Sequence, residues 1–328
     1  MLGSILLEGE GACGAVTTLL VASSGGHLAQ LVELVGRLPL MDSGRHWVTF
    51  RGPQSESLLA GERVTFVPAV RERDHIGILF AAARAVRMFA GERYRAVVST
   101  GSGVALAFLP YAALLGIDAH YIESSSRVRA RSTTGRLLSR FPRIRLYQQF
   151  PAGATSRWHY GGSVFDSFEP SSVEPRPIKR LVVTVGGHRA FRRLIERLVQ
   201  ILPPDVDALW QTGPTPVEDL GIQARPFLPA LELEDAIRNA DAVVAHAGCG
   251  SALTALKVGR CPVLVPRDPG LGEVVDDHQS DFAGALAERG LALCRTTANL
   301  TLADLEAAAV RAVVRVADPP PFRLAASS

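Results

Sequence analysis

The sequence predicts an α/β protein built as two doubly wound domains that face each other across a cleft. Three observations predict it. Apolar runs of strand length alternate with helical periods in both halves of the chain. Residues 164–178, rich in Pro, Ser and Glu and without an apolar period, read as a linker between the halves. Each half opens on a buried strand, a Gly-Gly-His turn and an amphipathic helix, and polar or Gly-rich tips recur at strand C-termini. In an open parallel sheet the ligand crevice lies at such tips.

In chain order, residues 1–16 lack a basic signal region and read as an extension before the first strand. The first domain spans 17–163. TTLLVASS (17–24) is an apolar run bounded by polar residues, hence a buried strand, and Gly25, Gly26 and His27 turn it into the helix LAQLVELVGRL. HWVTFRG and VTFVPAV follow as strands. ILFAAARAVRMF (78–89) is helical and apolar on most sides, which suits either a buried helix or a surface helix against a bilayer, with Arg84 and Arg87 at its margin. RAVVST (95–100) ends in Gly101, Ser102 and Gly103 before another apolar helix, DAHYIE (118–123) is the fifth strand, and IRLYQQF holds a sixth.

The second domain is expected over 179–317. RLVVTV leads through Gly186, Gly187 and His188 to AFRRLIERLVQIL, and DALWQTG, the helix LEDAIRNA and the strand DAVVAHAG follow. A helix from about Ser251, the strand PVLVP and a helix headed by Asp277, His278 and Gln279 come next. LADLEAAAVRAVVRVA (302–317) reads as the last helix, and 318–328 as a mobile tail with little to bury.

Composition excludes several classes. The net charge of +3 is too small to imply nucleic acid, and no run of about 18 apolar residues spans a membrane. Cys13, Cys249, Cys261 and Cys294 have no metal-ligand spacing and read as reduced thiols of a cytosolic chain. There is no GxxxxGK[ST], no GxGxxG with a following ribose-binding acid, no HExxH and no GxSxG. What remains is a cleft lined by glycine turns at helix starts, where free backbone N–H groups and the helix dipole suit a phosphate. Glycine needed only for an ordinary βα turn explains any one such turn equally well.

The motifs taken in order carry a resemblance. VVTVGG (182–187), WQTG (210–213), PFLP (226–229), AHAGCGSALTAL (245–256), GRCPVLVP (259–266) and DDHQ (276–279) resemble the donor-binding half of the GT-B glycosyltransferases that use UDP-sugars. SSGGHLAQL (23–31), STGSG (99–103) and YIESSSRV (121–128) resemble the membrane-facing acceptor half of the same group. Together they look like a single-chain fusion of the two subunits of the dolichol-pathway UDP-N-acetylglucosamine transferase. Bacterial exopolysaccharide glycosyltransferases are of this type, and the lipid II synthase is a more distant cousin.

The resemblance implies a GT-B fold and a set of roles. Gly186, Gly187 and His188 would lie at the donor diphosphate, with Gln211 and Gly213 in the same pocket. Phe227 and Leu228 would border the uracil. His246, Gly248, Gly250 and Ser251 would hold the phosphates, and Asp277 and Gln279 the sugar hydroxyls. Thr254 stands where the family usually has the Glu that accepts from the ribose, and a neutral acceptor is roughly half as strong. Gly25, Gly26, Ser102, Ser124 and Arg127 would meet the acceptor. His27 is the expected base that takes the proton from the acceptor hydroxyl, with Glu123 as its rival or as an orienting group.

The activity so implied is inverting, metal-independent transfer of N-acetylglucosamine or a related hexose or uronic acid. It would run from a UDP-sugar to a polyprenyl-diphosphate-linked glycan, on the cytoplasmic face of a membrane, with no cofactor and no nucleic-acid partner. Seven arginines between Arg127 and Arg145 would favour an anionic membrane surface by roughly 1 kcal/mol each, or simply form a solvated face. Two alternatives stay open: a UDP-N-acetylglucosamine 2-epimerase-like enzyme, and a non-catalytic subunit that recruits another transferase to the membrane.

Overall fold

The computed structural model describes residues 17–40, 44–70, 74–175, 177–187 and 189–325. The expected N-terminal extension and His188 lie outside these residues, as do Cys13 and the last three residues of the tail.

The first domain is a seven-stranded parallel sheet. Its strands are β1 (Thr17–Ala22), β2 (Gly44–Phe50), β3 (Val64–Val67), β4 (Tyr94–Gly101), β5 (Asp118–Ile122), β6 (Ile144–Gln148) and β7 (Trp158–Tyr160), in the order β3-β2-β1-β4-β5-β6-β7. The helices are α1 (Gly26–Val35), α2 (Pro53–Leu58), α3 (His75–Gly91), α4 (Gly103–Leu114) and α5 (Thr133–Leu138). β1 is buried at every position, as a central parallel strand covered on both faces must be. The order reverses between β1 and β4, so the tips of these two strands open the crevice.

The second domain repeats the plan with six parallel strands in the order β11-β10-β9-β12-β13-β14. The C-terminal strand-to-helix turns that concern the site follow β9 (Arg180–Thr184), β10 (Asp207–Gln211), β12 (Ala242–His246) and β13 (Val263–Val265). β11 (Ala224–Arg225) and β14 (Leu293–Cys294) are short edges. The helices are α6 (Arg192–Ile201), α7 (Ala230–Asn239), α8 (Cys249–Lys257), α9 (His278–Glu288) and α10 (Leu302–Ala309).

Three expectations fail where the two domains join. Residues 164–178 are not a loose linker. Val164–Ser167 form a 3-10 turn closed by a capping box between Ser163 and Asp166, and β8 (Phe168–Ser172) follows. Val164, Phe165 and Phe168 are buried. The last helix stops at Ala309, and β15 (Arg311–Arg315) pairs antiparallel with β8. β-Branched Val313 and Val314 prefer this extended pairing to a helix continuation. The tail folds back onto the first domain through residue 325. Phe322 is fully buried against Tyr147, the Phe322 N–H donates to the Arg37 carbonyl (2.8 Å), and the Arg323 N–H donates to that of Gly161 (2.7 Å).

Charge clusters reinforce this hinge. The buried Arg37 guanidinium donates to the carbonyls of Ser163 and Pro320 and faces Asp166, whose other oxygen accepts from Arg289 of the second domain (2.9 Å). Glu33 on α1 accepts both forks of Arg315 and lies 3.8 Å from Lys257 on α8. Phe165 packs on Phe282 of α9 with ring centroids 5.7 Å apart, so one apolar cluster runs from the first domain into the second. Phe322→Ala is expected to destabilise the full chain by about 3 kcal/mol, read as a lower urea midpoint. A midpoint equal to that of the unmutated chain would return the tail to a passive role.

Candidate active site

The second domain's half of the site is a nest of glycines around one histidine. β9, β10 and β12 end side by side, and their turns crowd together. Gly186 (φ +74°) and Gly248 flank the His246 ring: a Cβ added to Gly186 would lie 2.7 Å from His246 Cε1, and one added to Gly248 would lie 2.2 Å from Nε2. Gly213 (φ +57°) backs onto Gly186, where an added Cβ would lie 2.3 Å from the Gly186 carbonyl oxygen. These positions need glycine for space as well as for φ. Ser251 places its hydroxyl 3.5 Å from His246 Nδ1. Gly187 is exposed and has open space around it.

Behind this nest, Arg267 acts as a strap. It is buried, stacks over the Phe191 ring, and donates to the carbonyls of Val185 (2.7 Å) and Arg189 (2.8 Å). Burial pulls its pKa down to about 10, so it stays charged at neutral pH. It fixes the loop that carries Gly186 and Gly187. Nothing in the local sequence marks it, because its partners are backbone carbonyls some eighty positions away.

The first domain's half centres on His27, the second residue of α1. Its Nδ1 lies 2.7 Å from the Thr100 carbonyl, which can only accept, so Nδ1 carries the proton. In the neutral ring Nε2 then keeps its lone pair, and it has no hydrogen-bond partner among the described residues. Burial lowers the pKa of His27, against the smaller opposite effects of the Thr100 carbonyl and the Glu123 charge. Gly101 (φ +118°) lets the β4 turn pass within reach of the ring. Ser102 is the one non-glycine residue with positive φ (+71°) among those described, and it stands at the start of α4. Backbone strain of this kind collects at binding turns.

Glu123 is not free to act as a base. It is fully buried, and its two oxygens accept from Tyr121 Oη (3.1 Å), the Ser124 N–H (3.0 Å) and both the N–H and Oγ of Ser132 (3.0 Å each). Four donors hold it as the post on which residues 124–132 are hung. Ser124 accepts from Gln30 Nε2 (3.2 Å), and Gln30 Oε1 accepts from the Ser125 N–H (2.7 Å) and Gln149 Nε2 (3.0 Å). This buried amide network locks the loop to α1.

The two halves meet along α1 and α8, which run side by side in the same direction, with their first turns touching at Gly26 and Gly250 and their last turns at Glu33 and Lys257. α1 begins against the beginning of α8: a Cβ on Gly26 would lie 3.4 Å from the Gly250 nitrogen. Ser125 Oγ contacts Cys249 Sγ at 2.8 Å. Burial drives the Cys249 thiol up to about 12, so it stays protonated and inert. Arg127 reaches across and donates to Asp276 (2.6 Å), whose other oxygen meets His278 Nδ1. Burial opposes ionisation of Asp276, but the Arg127 and His278 hydrogen bonds outweigh it and hold the carboxyl at about 2. The starts of α1, α4 and α8 have no acidic residue in the first turn and no side chain capping them. Positive helix ends left open in this way favour an anion in front of them.

Several expected ligands are committed elsewhere. The Leu228 side chain is buried in the core and cannot border a base, whereas its neighbour Phe227 is 53% exposed. Gln211 is buried and accepts from Thr184 Oγ1 (2.6 Å), tying β10 to β9. Gln279 Oε1 accepts from the Arg267 N–H (2.9 Å), which leaves only its amide hydrogens for a sugar. Thr254 donates to the Gly250 carbonyl (2.9 Å), so its oxygen still has lone pairs to offer. Asp277 heads α9 without making the capping bond, and is exposed. Gly25 (φ +85°) holds the turn before α1. Arg127 pairs with Asp276 rather than standing open to an acceptor, Arg131 stacks on Trp158 and Arg145 pairs with Asp118, while Arg129, Arg136, Arg140 and Arg143 are exposed. No group of three or more His, Cys, Asp or Glu among the described residues is placed to hold a metal.

Comparison with known proteins agrees with this geometry. Residues 180–313 match the glycosyltransferase family 28 C-terminal domain, a match confined to the second domain. MurG of Acinetobacter baumannii superposes with a TM-score of 0.56 at 22% identity over 89% of each chain. The glycosyltransferase of kitacinnamycin gives 0.57 at 16% identity over 90% of each. SsfS6 of Streptomyces sp. SF2575, solved with thymidine diphosphate, gives 0.53 at 20% identity, again over 90% of each. No curated protein matches the sequence itself. The fold is therefore GT-B, two Rossmann-like domains across a cleft. Gly213→Ala should push the Gly186 turn out of place and weaken nucleoside diphosphate binding at least tenfold by calorimetry, while Gly187→Ala, with open space around it, should bind as the unmutated chain does. Equal affinities for both variants would remove the glycine nest from the binding site.

Proposed function

We propose that this chain is an inverting glycosyltransferase that moves a sugar from a UDP-sugar to a polyprenyl-diphosphate-linked glycan at the cytoplasmic face of a membrane. One observation carries the reading. The open N-terminal ends of α1 and α8 lie side by side where the two domains meet, with His27 at one and the glycine nest of His246 at the other. The family 28 match to the second domain and the thymidine diphosphate bound to SsfS6 support a nucleoside diphosphate sugar as the donor.

On this reading the donor diphosphate lies against the start of α8 and the loop held by Arg267. Neutral His27 accepts the acceptor's hydroxyl proton at Nε2 while that oxygen attacks the anomeric carbon from the face opposite the diphosphate. The bond to the diphosphate oxygen breaks, UDP leaves, and the anomeric configuration inverts. Backbone dipoles at α8 receive the charge of the leaving group, so the step calls for neither a metal nor a cofactor. Glu123 serves by fixing the 124–132 loop.

The lipid side of the proposal rests on α3. Ile76, Leu79 and Phe80 are between 64% and 70% exposed on one helix face, and Leu114 at the end of α4 is 72% exposed. Of the two readings of this helix, simple burial fails: Ala81, Ala85 and Met88 are buried with Ile78, Ala82 and Phe89 packed beside them, and the other side is open. Exposed Arg84 and Arg87 stand on the same helix. An apolar face flanked by cations suits the surface of an anionic bilayer. No helix among the described residues is long and apolar enough to cross one.

His27→Ala is expected to lower kcat by about 10²–10³-fold with little change in donor affinity, followed as UDP release with a polyprenyl-diphosphate acceptor. Since the base must be neutral and burial lowers its pKa, the acid limb of kcat should lie below the ordinary histidine value of 6.5. An unchanged rate would take His27 out of the mechanism, and epimerised nucleotide sugar formed without acceptor would replace transfer by epimerisation. In a sedimentation assay with vesicles containing phosphatidylglycerol, Leu79→Glu with Phe80→Glu should abolish binding while leaving nucleotide affinity intact. Undiminished binding would exclude α3 as the membrane contact.

A further inference from the structure

We propose that Gln54 is a positioning residue for the transfer step: its side-chain amide holds the turn that presents His27 to the cleft. Gln54 Oε1 accepts from the Gly25 N–H (2.6 Å), and Nε2 donates to the Gly25 carbonyl (3.4 Å). One amide thus meets both polar groups of a single residue, from 29 positions away in the chain.

The turn has little else to hold it. Gly25 takes a conformation that only glycine adopts readily (φ +85°, ψ −142°). Nothing lies within 4 Å of where a Cβ on it would stand, and no side chain caps α1. A residue with neither a side chain nor neighbours packed on it is a free joint, and two hydrogen bonds to its peptide groups take that freedom away. The Gly25 carbonyl also accepts from the Ala29 N–H (3.1 Å), a bond of the first turn of α1, so fixing Gly25 fixes the start of the helix. Gln54 is itself firmly mounted. Pro53 opens α2 with its φ preset. The hydroxyl of buried Ser55 lies within hydrogen-bond distance of the carbonyls of Phe50 (2.7 Å) and Gly52 (2.9 Å), which ties α2 to the end of β2.

The clamp completes a bracket around His27. β1 lies between β2 and β4 in the sheet. From the β4 side, the Thr100 carbonyl accepts from His27 Nδ1 (2.7 Å), and Thr100 Oγ1 donates to the His27 carbonyl (2.8 Å). From the β2 side, Gln54 holds the residue two positions before His27. Held from both sides, the ring keeps Nδ1 on Thr100 and leaves Nε2 to accept a proton, which is the orientation that general-base transfer needs. The nitrogen that carries the ring proton is set by the bond that the ring makes, so a slack turn would lose the tautomer along with the aim. Gln54 touches none of the reacting atoms and acts through Gly25 on His27.

The effect on rate rests on the function proposed above, whereas the effect on the ring does not. Gln54→Met keeps the size of the side chain and removes both bonds. Nitrogen-edited NMR of the full chain, with the His27→Ala spectrum to identify the signal, should show His27 as the Nδ1–H tautomer. The methionine variant should show a mixture of both tautomers. In the UDP-release assay with a polyprenyl-diphosphate acceptor, the same variant should lower kcat about tenfold, the worth of about one hydrogen bond. Its affinity for UDP should stay within about twofold, because the diphosphate lies against α8 and not α1. Gln54→Ala removes the same two bonds and is read in the same way should the methionine variant fail to fold. An unchanged His27 signal would overturn the proposal, as would a lower Tm with an unchanged kcat, which marks a tie for stability alone. If the unmutated chain transfers no sugar, or His27→Ala transfers as fast, the function or the base role fails instead, and the ring signal by itself decides whether Gln54 sets His27.

Discussion

Two helices packed side by side, one from each domain, with both N-termini at the same end, are the constraint on which this molecule turns. α1 and α8 touch through Gly26 and Gly250, where a Cβ on either would already lie 3.4 Å from the backbone of the other. Neither helix start carries an acid or a capping side chain, and α4 opens beside them in the same condition. Each open end concentrates partial positive charge on unpaired N–H groups. Ordinary proteins neutralise such ends with Ser, Asp or Glu. Here they are left open toward one cleft, and the glycines that replace the caps also give the backbone room to approach a ligand.

Holding two positive ends together needs support from elsewhere, and the hinge provides it. The chain crosses between domains at β8, returns through β15, and ends by burying Phe322 in the first domain. Glu33 gathers Arg315 and Lys257, and Asp166 gathers Arg37 and Arg289, so acidic groups sit among cations from both domains. An apolar seam through Phe165 and Phe282 lies beneath them. Elsewhere the domains are linked by Arg127 with Asp276, a partly exposed and correspondingly weak pair. The firm side sets the spacing of the tips, and the polar side borders the space where a ligand fits.

The site was legible in sequence to the extent that backbone demands are local. Glycines at the ends of apolar runs announce turns, and Gly186, Gly213 and Gly248 are where space and φ require them. His246 ends β12 and His27 lies just past the turn that follows β1, so their place at a tip follows from the strands. Glu123, Leu228, Gln211 and Gln279 show the limit. Each is next to the cleft in sequence terms, yet its side chain is taken by partners from another element: Ser132, the core, Thr184 and Arg267 respectively. Which way a side chain turns depends on donors that only folding brings near. Arg267 is the converse case, a residue with no local mark that holds the loop carrying Gly186 and Gly187.

The sequence by itself determined the two parallel sheets, their strand-to-helix alternation and the cleft at their tips, because apolar periodicity and glycine turns act over a few residues. Only the tertiary structure decided the hinge, the fate of the tail and the exposure of α3. β8 has too few apolar residues to be recognised alone, and it becomes a strand because β15 arrives beside it from over a hundred positions away. α3 is apolar on most sides, and a pattern of that kind cannot say which side will be covered. The same holds for the facing glycines of α1 and α8: each is an ordinary turn residue in its own half, and their meaning as a pair exists only once the hinge has set the two domains against each other.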